Sequence, residues 1–312
     1  MDSMILAFKA VFPLLAFMAI GAFLGKIKLL NKETASGMNK LVFKVFLPLS
    51  IFQSVAGTNI KSAFDLKVTL YVVLSCIASF IIISFLVKRT EKDRTVQPVM
   101  IQGIHKANYN LLAVSIVTNF FAEDIGMTAV LIMIITPIVN TCSTIAFETA
   151  RGGNASLPKM LKKIITNPMV LSSLLGLLAN VLGIKLPALI MNGVVSKLAA
   201  MATPAAMLTL GSDFDLAAMK KWAKHLTVIC LGKLVVLPLI IVCGAVLLGI
   251  RGADLIAMLV YSGAPTAVNS YSTAVSMGGN EELAGEVVAV TSLLSVFTLF
   301  VFLTVMGSAG LI

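Results

Sequence analysis

Apolar stretches about twenty residues long recur along this chain, bounded by charges or by glycine and proline. Runs without a charged side chain cover 68–87, 125–147, 164–184 and 287–312. A helix of about 20 residues spans the roughly 30 Å of a bilayer's hydrocarbon. Reading such runs against their breaks predicts ten helices, near 7–26, 36–57, 66–87, 96–121, 125–147, 165–184, 189–211, 225–250, 253–278 and 283–308. The predicted class is an all-α membrane protein in contact with lipid over most of its length.

The ninth run breaks the pattern. Residues 255–280 carry no charge, yet Gly263, Pro265, Thr266, Asn269 and Ser270 crowd its middle. Pro265 has no backbone N–H and disfavours helix at Ala264, so the span is expected to break there. About 160 residues earlier, the fourth run holds His105, Lys106, Asn108, Tyr109, Asn110 and Ser115. Other similarities recur at nearly one offset. Pro13 and Gly21 align with Pro168 and Gly176, Ile27-Lys28-Leu29 with Ile184-Lys185-Leu186, and Lys40-Leu41 with Lys197-Leu198. "AEDIGMTAVL" (122–131) resembles "EELAGEVVAV" (281–290). Five spans per half make the halves inverted in the membrane, an arrangement typical of transporters. The expected division is a first repeat over 1–150, a cytoplasmic linker over 151–164 and a second repeat over 165–312.

Composition agrees with a membrane location. The chain is 58% hydrophobic and 12% charged, with a mean hydropathy of +1.00, against about a quarter charged in soluble domains. The net charge of +10 needs no nucleic acid partner, because Lys and Arg accumulate in cytoplasmic loops. Loops after the first, third, fifth and seventh spans hold fifteen basic residues, Lys26, Lys88, Arg151 and Lys220 among them. The opposite side holds five: Lys9, Lys61, Lys67, Lys185 and Arg251. Both termini are therefore expected on the non-cytoplasmic side of a multi-pass protein of the cytoplasmic (inner) membrane. The first span reads as retained rather than as a cleaved signal. Cys76, Cys142, Cys230 and Cys243 fall in apolar runs at wide spacing, which argues for buried thiols and no metal site.

Where two broken helices cross, helix ends turn their dipoles into the bundle, and N-terminal N–H groups there suit an anion. Amides and hydroxyls add donors without the desolvation penalty of a fixed charge. The candidate substrate-binding residues are Asn108, Asn110, Ser115, Pro265, Thr266, Asn269 and Ser270. Singly, some of these polar groups fit interhelical hydrogen bonds equally well. His105 and Lys106 either face an anion or reach the cytoplasmic interface. Glu286 either relays a proton or sits in solvent, and Lys233 either snorkels or lines the bundle. Asn140, Thr291 and Ser295 offer oxygens to a sodium ion, or else bond between helices. No paired acids for a metal–diphosphate, no HExxH and no nucleophile elbow supports an enzyme. No cofactor is expected beyond coupling protons or sodium.

Four segments carry a family resemblance. "HKANYNLLAVSIV" (105–117), "SGAPTAVNSYSTAVSMGGNEELAGEVVAVTSLLSVFTL" (262–299), "FLPLSIFQSVAG" (46–57) and "ATPAAMLTLGSDF" (202–214) resemble the auxin efflux carrier family. That family includes bacterial malate or malonate permeases and, more distantly, the plant auxin exporters. The resemblance implies ten helices in two inverted five-helix repeats, as in sodium/proton antiporters and bile-acid symporters. It further implies a scaffold and a transport domain, broken helices four and nine that cross at the carboxylate site, an elevator motion and a homodimer. The family's span-four motif falls on Asn108, Tyr109 and Asn110, and its span-nine motif on Pro265, Thr266, Ala267 and Val268. Ser115 and Ser270 stand where many members carry the crossing prolines. The expected function is secondary active transport of small organic anions such as malate or malonate. The alternative is a sodium-coupled symporter of the bile-acid type. Sequence leaves the substrate, the direction and the coupling ion open.

Overall fold

The computed structural model describes residues 2–57, 65–109, 116–117, 126–151, 162, 164–184, 186–212 and 216–312. Candidate residues Asn110 and Ser115 lie outside them. All regular elements among the described residues are helical, and the one backbone pairing of β type is an isolated bridge. The helices are α1 (Asp2–Lys26), α2 (Lys32–Leu41), α3 (Leu47–Ala56), α4 (Leu66–Thr90), α5 (Gln97–His105), α6 (Gly126–Ala150) and α7 (Pro168–Val181). They continue with α8 (Ala188–Ser212), α9 (Leu216–Lys221), α10 (Ala223–Leu247), α11 (Gly252–Gly263), α12 (Asn269–Met277) and α13 (Glu281–Ser308).

Local chemistry explains where several of these begin. The side-chain oxygen of Asn31 accepts the Thr34 N–H at 2.9 Å. Asp65 accepts from Lys67 and Val68 at 2.7 and 3.1 Å, and Asn280 accepts the Leu283 N–H at 2.8 Å. Each such side chain satisfies an amide that the first turn leaves without a helical partner. The helical stretch from α2 to α3 and helix α10 are not regular throughout. π turns occupy Val42–Phe46 and Gly232–Val236, each followed within two residues by a proline, Pro48 or Pro238. A proline inside a helix cannot bond the carbonyl four residues back, and widening the preceding turn accommodates that loss.

Five described helices are long and apolar enough to cross a membrane: Leu66–Thr90, Val130–Ala150, Ala188–Ser212, Ala223–Leu247 and Glu281–Ser308. Their exposed faces are apolar at helical spacing. On α4, Leu70, Leu74, Ile77, Ile81 and Phe85 are all exposed and repeat every three or four residues, which stacks them on one face. Such a stripe is unfavourable in water and is the surface that lipid tails cover. Polar groups on the outer turns pair with one another. His225 Nε2 lies 2.8 Å from Glu91 Oε2, and the Trp222 indole N–H donates to Glu282 at 2.7 Å. Lys221 also pairs with Glu282.

The interior divides into two apolar clusters. One gathers α4, α6, α11, the later part of α10 and the C-terminal half of α13 around Tyr109 and Tyr261. The other joins α2, α3, α5, α8, α12 and the first half of α13. Small residues set the tightest contact. A methyl at Gly21 on α1 would overlap the Leu208 carbonyl of α8, and one at Gly211 on α8 would overlap the Met18 carbonyl of α1. Backbones this close exclude any side chain, as at small-residue interfaces in membranes. Gly211→Ala should therefore destabilise the protein by about 1–3 kcal/mol, the usual scale of overpacking. Gly37→Ala, with nothing within 4 Å of the added methyl, should raise the unfolding temperature slightly, since alanine in a helix interior is favoured over glycine by about 0.5–1 kcal/mol. Thermal unfolding of both variants in detergent checks the pair, and equal stability would refute the close approach.

Candidate functional site

Two helices stop short inside the bundle. α5 ends at His105, and Lys106 is extended with ψ 111°. α11 ends at Gly263, with Ala264 extended at φ −63°, ψ 153° just before Pro265, as the steric clash before a proline requires. The chain becomes helical again at Asn269, the first residue of α12. Both interruptions leave backbone amides and carbonyls without helical partners inside the bundle, a costly state unless they are bonded otherwise. They find each other. The Asn108 N–H donates to the Pro265 carbonyl at 2.8 Å, and the Ala267 N–H to the Lys106 carbonyl at 3.2 Å. Ala107 and Thr266 thus form an antiparallel bridge.

Thr266 ties this bridge to its surroundings. Its hydroxyl donates to the Gly103 carbonyl at 2.7 Å, capping the carbonyl end of α5. Its backbone N–H donates to the Thr291 hydroxyl at 3.1 Å, and that hydroxyl donates to the Val287 carbonyl at 2.7 Å. Both polar groups of Thr266 are used inside the protein, and the residue is fully buried.

Beside the bridge lies a cavity of about 210 Å³, smaller than the roughly 300–1,000 Å³ of drug-sized sites. Lys106, Asn108, Asn140 and Asn269 line it together with Tyr109, Tyr261 and the hydroxyl residues Ser50, Ser54, Thr136 and Thr203. No Asp or Glu is among its lining residues in the described part of the chain. Lys106 is 3% exposed. Its Nζ, the Asn108 amide nitrogen and the Asn269 side-chain oxygen have no hydrogen-bond partner among the described residues. Three kinds of polar atom, enclosed and unsatisfied, converge on one small space. Buried polar groups are ordinarily paired, so such a set marks a place where a ligand completes the bonding. With an ammonium, three amides and no carboxylate, the ligand best suited to it is a small anion. The first turn of α12 begins on this wall, and its dipole adds positive potential there.

The structure distributes the remaining sequence candidates elsewhere. Pro265 contributes its carbonyl to the bridge, and the Ser270 hydroxyl is buried away from the cavity lining. His105 packs against α4: its ring is 5.5 Å from that of Phe80, with Nε2 3.8 Å from Cys76 Sγ and Nδ1 3.4 Å from Ser79 Oγ. It does not line the cavity. Of the three residues considered for sodium, Asn140 faces the cavity, Thr291 holds the bridge and the Ser295 hydroxyl donates to the Ser292 carbonyl at 2.8 Å. Lys233 is fully enclosed rather than interfacial.

Glu286 belongs to a second, larger cleft of about 760 Å³, which it lines with Lys28, Lys32, Asn39, Tyr271, Glu281 and Glu282. Asn39 stands between α2, α8 and α12. Its side-chain oxygen accepts from Ser272 at 3.1 Å and from Thr209 at 3.2 Å. Sequence reading did not single out Asn39, Ser50, Ser54, Thr203 or Tyr261. Ser50 and Ser54 are four apart in "LPLSIFQSVAG", one face of one helix, and that spacing was the available signal.

The chain is a multi-pass membrane protein built for transport. It belongs to the membrane transport protein family, the auxin efflux carrier family, whose model matches residues 6–156 and 149–303. A relative from Methanothermobacter thermautotrophicus, described as an uncharacterized transporter, is 20% identical over 295 residues. That match covers 93% of this chain and 95% of the relative.

The bonding of Thr266 sets its role apart from that of the cavity amides. Thr266→Val should leave the Gly103 carbonyl unpaired and cost about 1–3 kcal/mol of stability. Asn269→Ala, which removes an atom with no protein partner, should unfold at the wild-type temperature. Melting curves in detergent separate the two, and an unchanged Thr266→Val curve would contradict the capping role.

Proposed function

We propose that this protein is a secondary active transporter of small organic anions, carboxylates such as malate or malonate, in the cytoplasmic membrane. The observation that carries this reading is the cavity at the bridge, where Lys106, Asn108, Asn140 and Asn269 converge without a carboxylate among the described lining residues. Asn108 and Asn269 lie on the two interrupted segments; the Asn108 amide nitrogen donates to the anion, Lys106 supplies the counter-charge, and the Asn269 side-chain oxygen is left to accept from a hydroxyl of the ligand. Thr266, Pro265 and Ser270 hold the crossing in shape around them.

The reading includes ten spans in two inverted repeats, joined near 151–164. In support, the 25-residue helices Leu66–Thr90 and Ala223–Leu247 lie 157 positions apart. At a similar offset each is followed by a helix that stops short, α5 or α11. Inverted halves can exchange conformations and so open one site to either side. The two polar spaces fit that use. The cavity reaches the Asn269 end of α12, and the wider cleft reaches Tyr271 and Val275 on the same helix. α12 and the Asn39 contacts lie between them. An elevator motion would carry the bridge, with α12, past α2 and α8 and break those contacts. On the distribution of loop charge, the cleft with Lys28 and Lys32 faces the cytoplasm and both termini face outward.

Purified protein in liposomes should accumulate or exchange labelled malate or malonate. Asn108→Ala and Asn269→Ala should each reduce that flux at least tenfold while eluting as wild type on gel filtration. Wild-type rates in both variants would overturn the site, and no flux of any organic anion tested would overturn the substrate class. Flux that requires sodium and is lost in Asn140→Ala would favour the sodium-coupled alternative.

A further inference from the structure

The cavity contains one group whose charge is not fixed. Lys106 Nζ is enclosed and has no acceptor among the described residues. An ammonium removed from water with no counter-charge is disfavoured against the neutral amine, and an anion beside it reverses that preference. Among the described residues, no carboxylate lines the cavity beside it. His105 precedes it and lies within its electrostatic reach, and Tyr109 and Tyr261 face the same cavity from the bridge segment and α11. Beyond His105 lie Cys76 on α4 and Lys233 on α10. Asp254, in the first turn of α11, acts electrostatically on Tyr109. From α3, α6 and α8 the cavity receives only amides, hydroxyls and apolar groups.

We propose that Lys106 takes up one proton each time an anion enters the cavity and releases it when the anion leaves, so that anion and proton move together. This inference rests on the anion-carrier reading above and adds the coupling ion and the residue that bears it. The proton adds to the lone pair of the amine nitrogen, and the ammonium then donates to the anion. No bond of the substrate is made or broken. A monocarboxylate carried in this way moves without net charge, and a dicarboxylate moves with one negative charge. Lys233 cannot take the role directly, because it is absent from the cavity lining.

The sign of the linkage follows. A proton bound together with the anion makes anion affinity rise as pH falls. Adding malonate to the purified full-length protein in weakly buffered detergent, with a pH indicator present, should remove close to one proton from solution per malonate bound. Measured by calorimetry between about pH 7 and 9, above the range where carboxylates titrate, malonate affinity should weaken by up to about tenfold per pH unit. Lys106→Met should show no proton uptake and a weakened affinity independent of pH. Lys106→Arg, whose guanidinium stays charged throughout, should bind malonate with no uptake and keep the variant informative if the methionine form fails to fold. Lys233→Met should take up protons as wild type does. Malonate binding without proton uptake in wild type, or wild-type uptake in Lys106→Met, would overturn this inference alone. Failure of wild type to bind malonate or malate would overturn the carrier reading and this inference with it.

Discussion

Everything at the centre of this protein depends on two backbone hydrogen bonds between its interrupted segments. Non-helical backbone at membrane depth is tolerated only where its amides and carbonyls are satisfied within the protein. Asn108 bonds Pro265, and Ala267 bonds Lys106, at 2.8 and 3.2 Å. Each interruption is thereby the partner that the other needs. Neither segment could keep its extended form alone, since an unpaired amide or carbonyl in such a place costs about 1–3 kcal/mol. Proline explains directly why α11 stops at Gly263. There is no proline in "GIHKAN", so the extended segment after α5 depends on the bridge.

The side-chain contacts around that bridge have a consistent division of labour. Thr266 and Thr291 hold the backbone, and both are spent on protein groups. The cavity-lining atoms left over are those of Lys106, Asn108 and Asn269, with the hydroxyls of Tyr109 and Tyr261. Farther along α12 the arrangement changes. Ser272 joins Thr209 on a single acceptor, the Asn39 side-chain oxygen. These are neutral hydrogen bonds across helices, each worth only about 0.6–2 kcal/mol in membranes. Contacts of that strength can hold one arrangement and still yield to another, as the proposed elevator motion would require.

Much of this was legible in the sequence, and the limits have physical reasons. Apolar runs located α4, α6, α10 and α13 because lipid demands a continuous apolar face, and Pro265 located the stop at Gly263 because its effect is local. The polar residues were visible as a cluster, but their roles were not. Thr266 and Asn269 are both donors three positions apart in one motif, and only the fold shows the first bonded to Gly103 and the second facing the cavity. Lys233 could snorkel or be enclosed on sequence grounds, and packing against α5, α11 and α13 encloses it. Asn39 and Thr203 could not be singled out because their significance lies in contacts between distant spans. Isolated polar residues in apolar helices carry no local mark of their partners.

The tripeptide Lys106-Ala107-Asn108 condenses the relation between sequence and site. In an extended segment, residues two apart share a face and the one between them points the other way. Lys106 and Asn108 therefore present an amine and an amide together, while Ala107 stands opposite Thr266 in the bridge. A small residue in the middle lets the two backbones approach to hydrogen-bonding distance. A helix could not arrange this, because residues two apart on a helix diverge by about 200°. The interruption is thus more than a tolerated defect in a membrane span. It is the geometry that brings the amine and the amide to one wall, and the bridge that satisfies its backbone is what keeps those two groups free for a ligand.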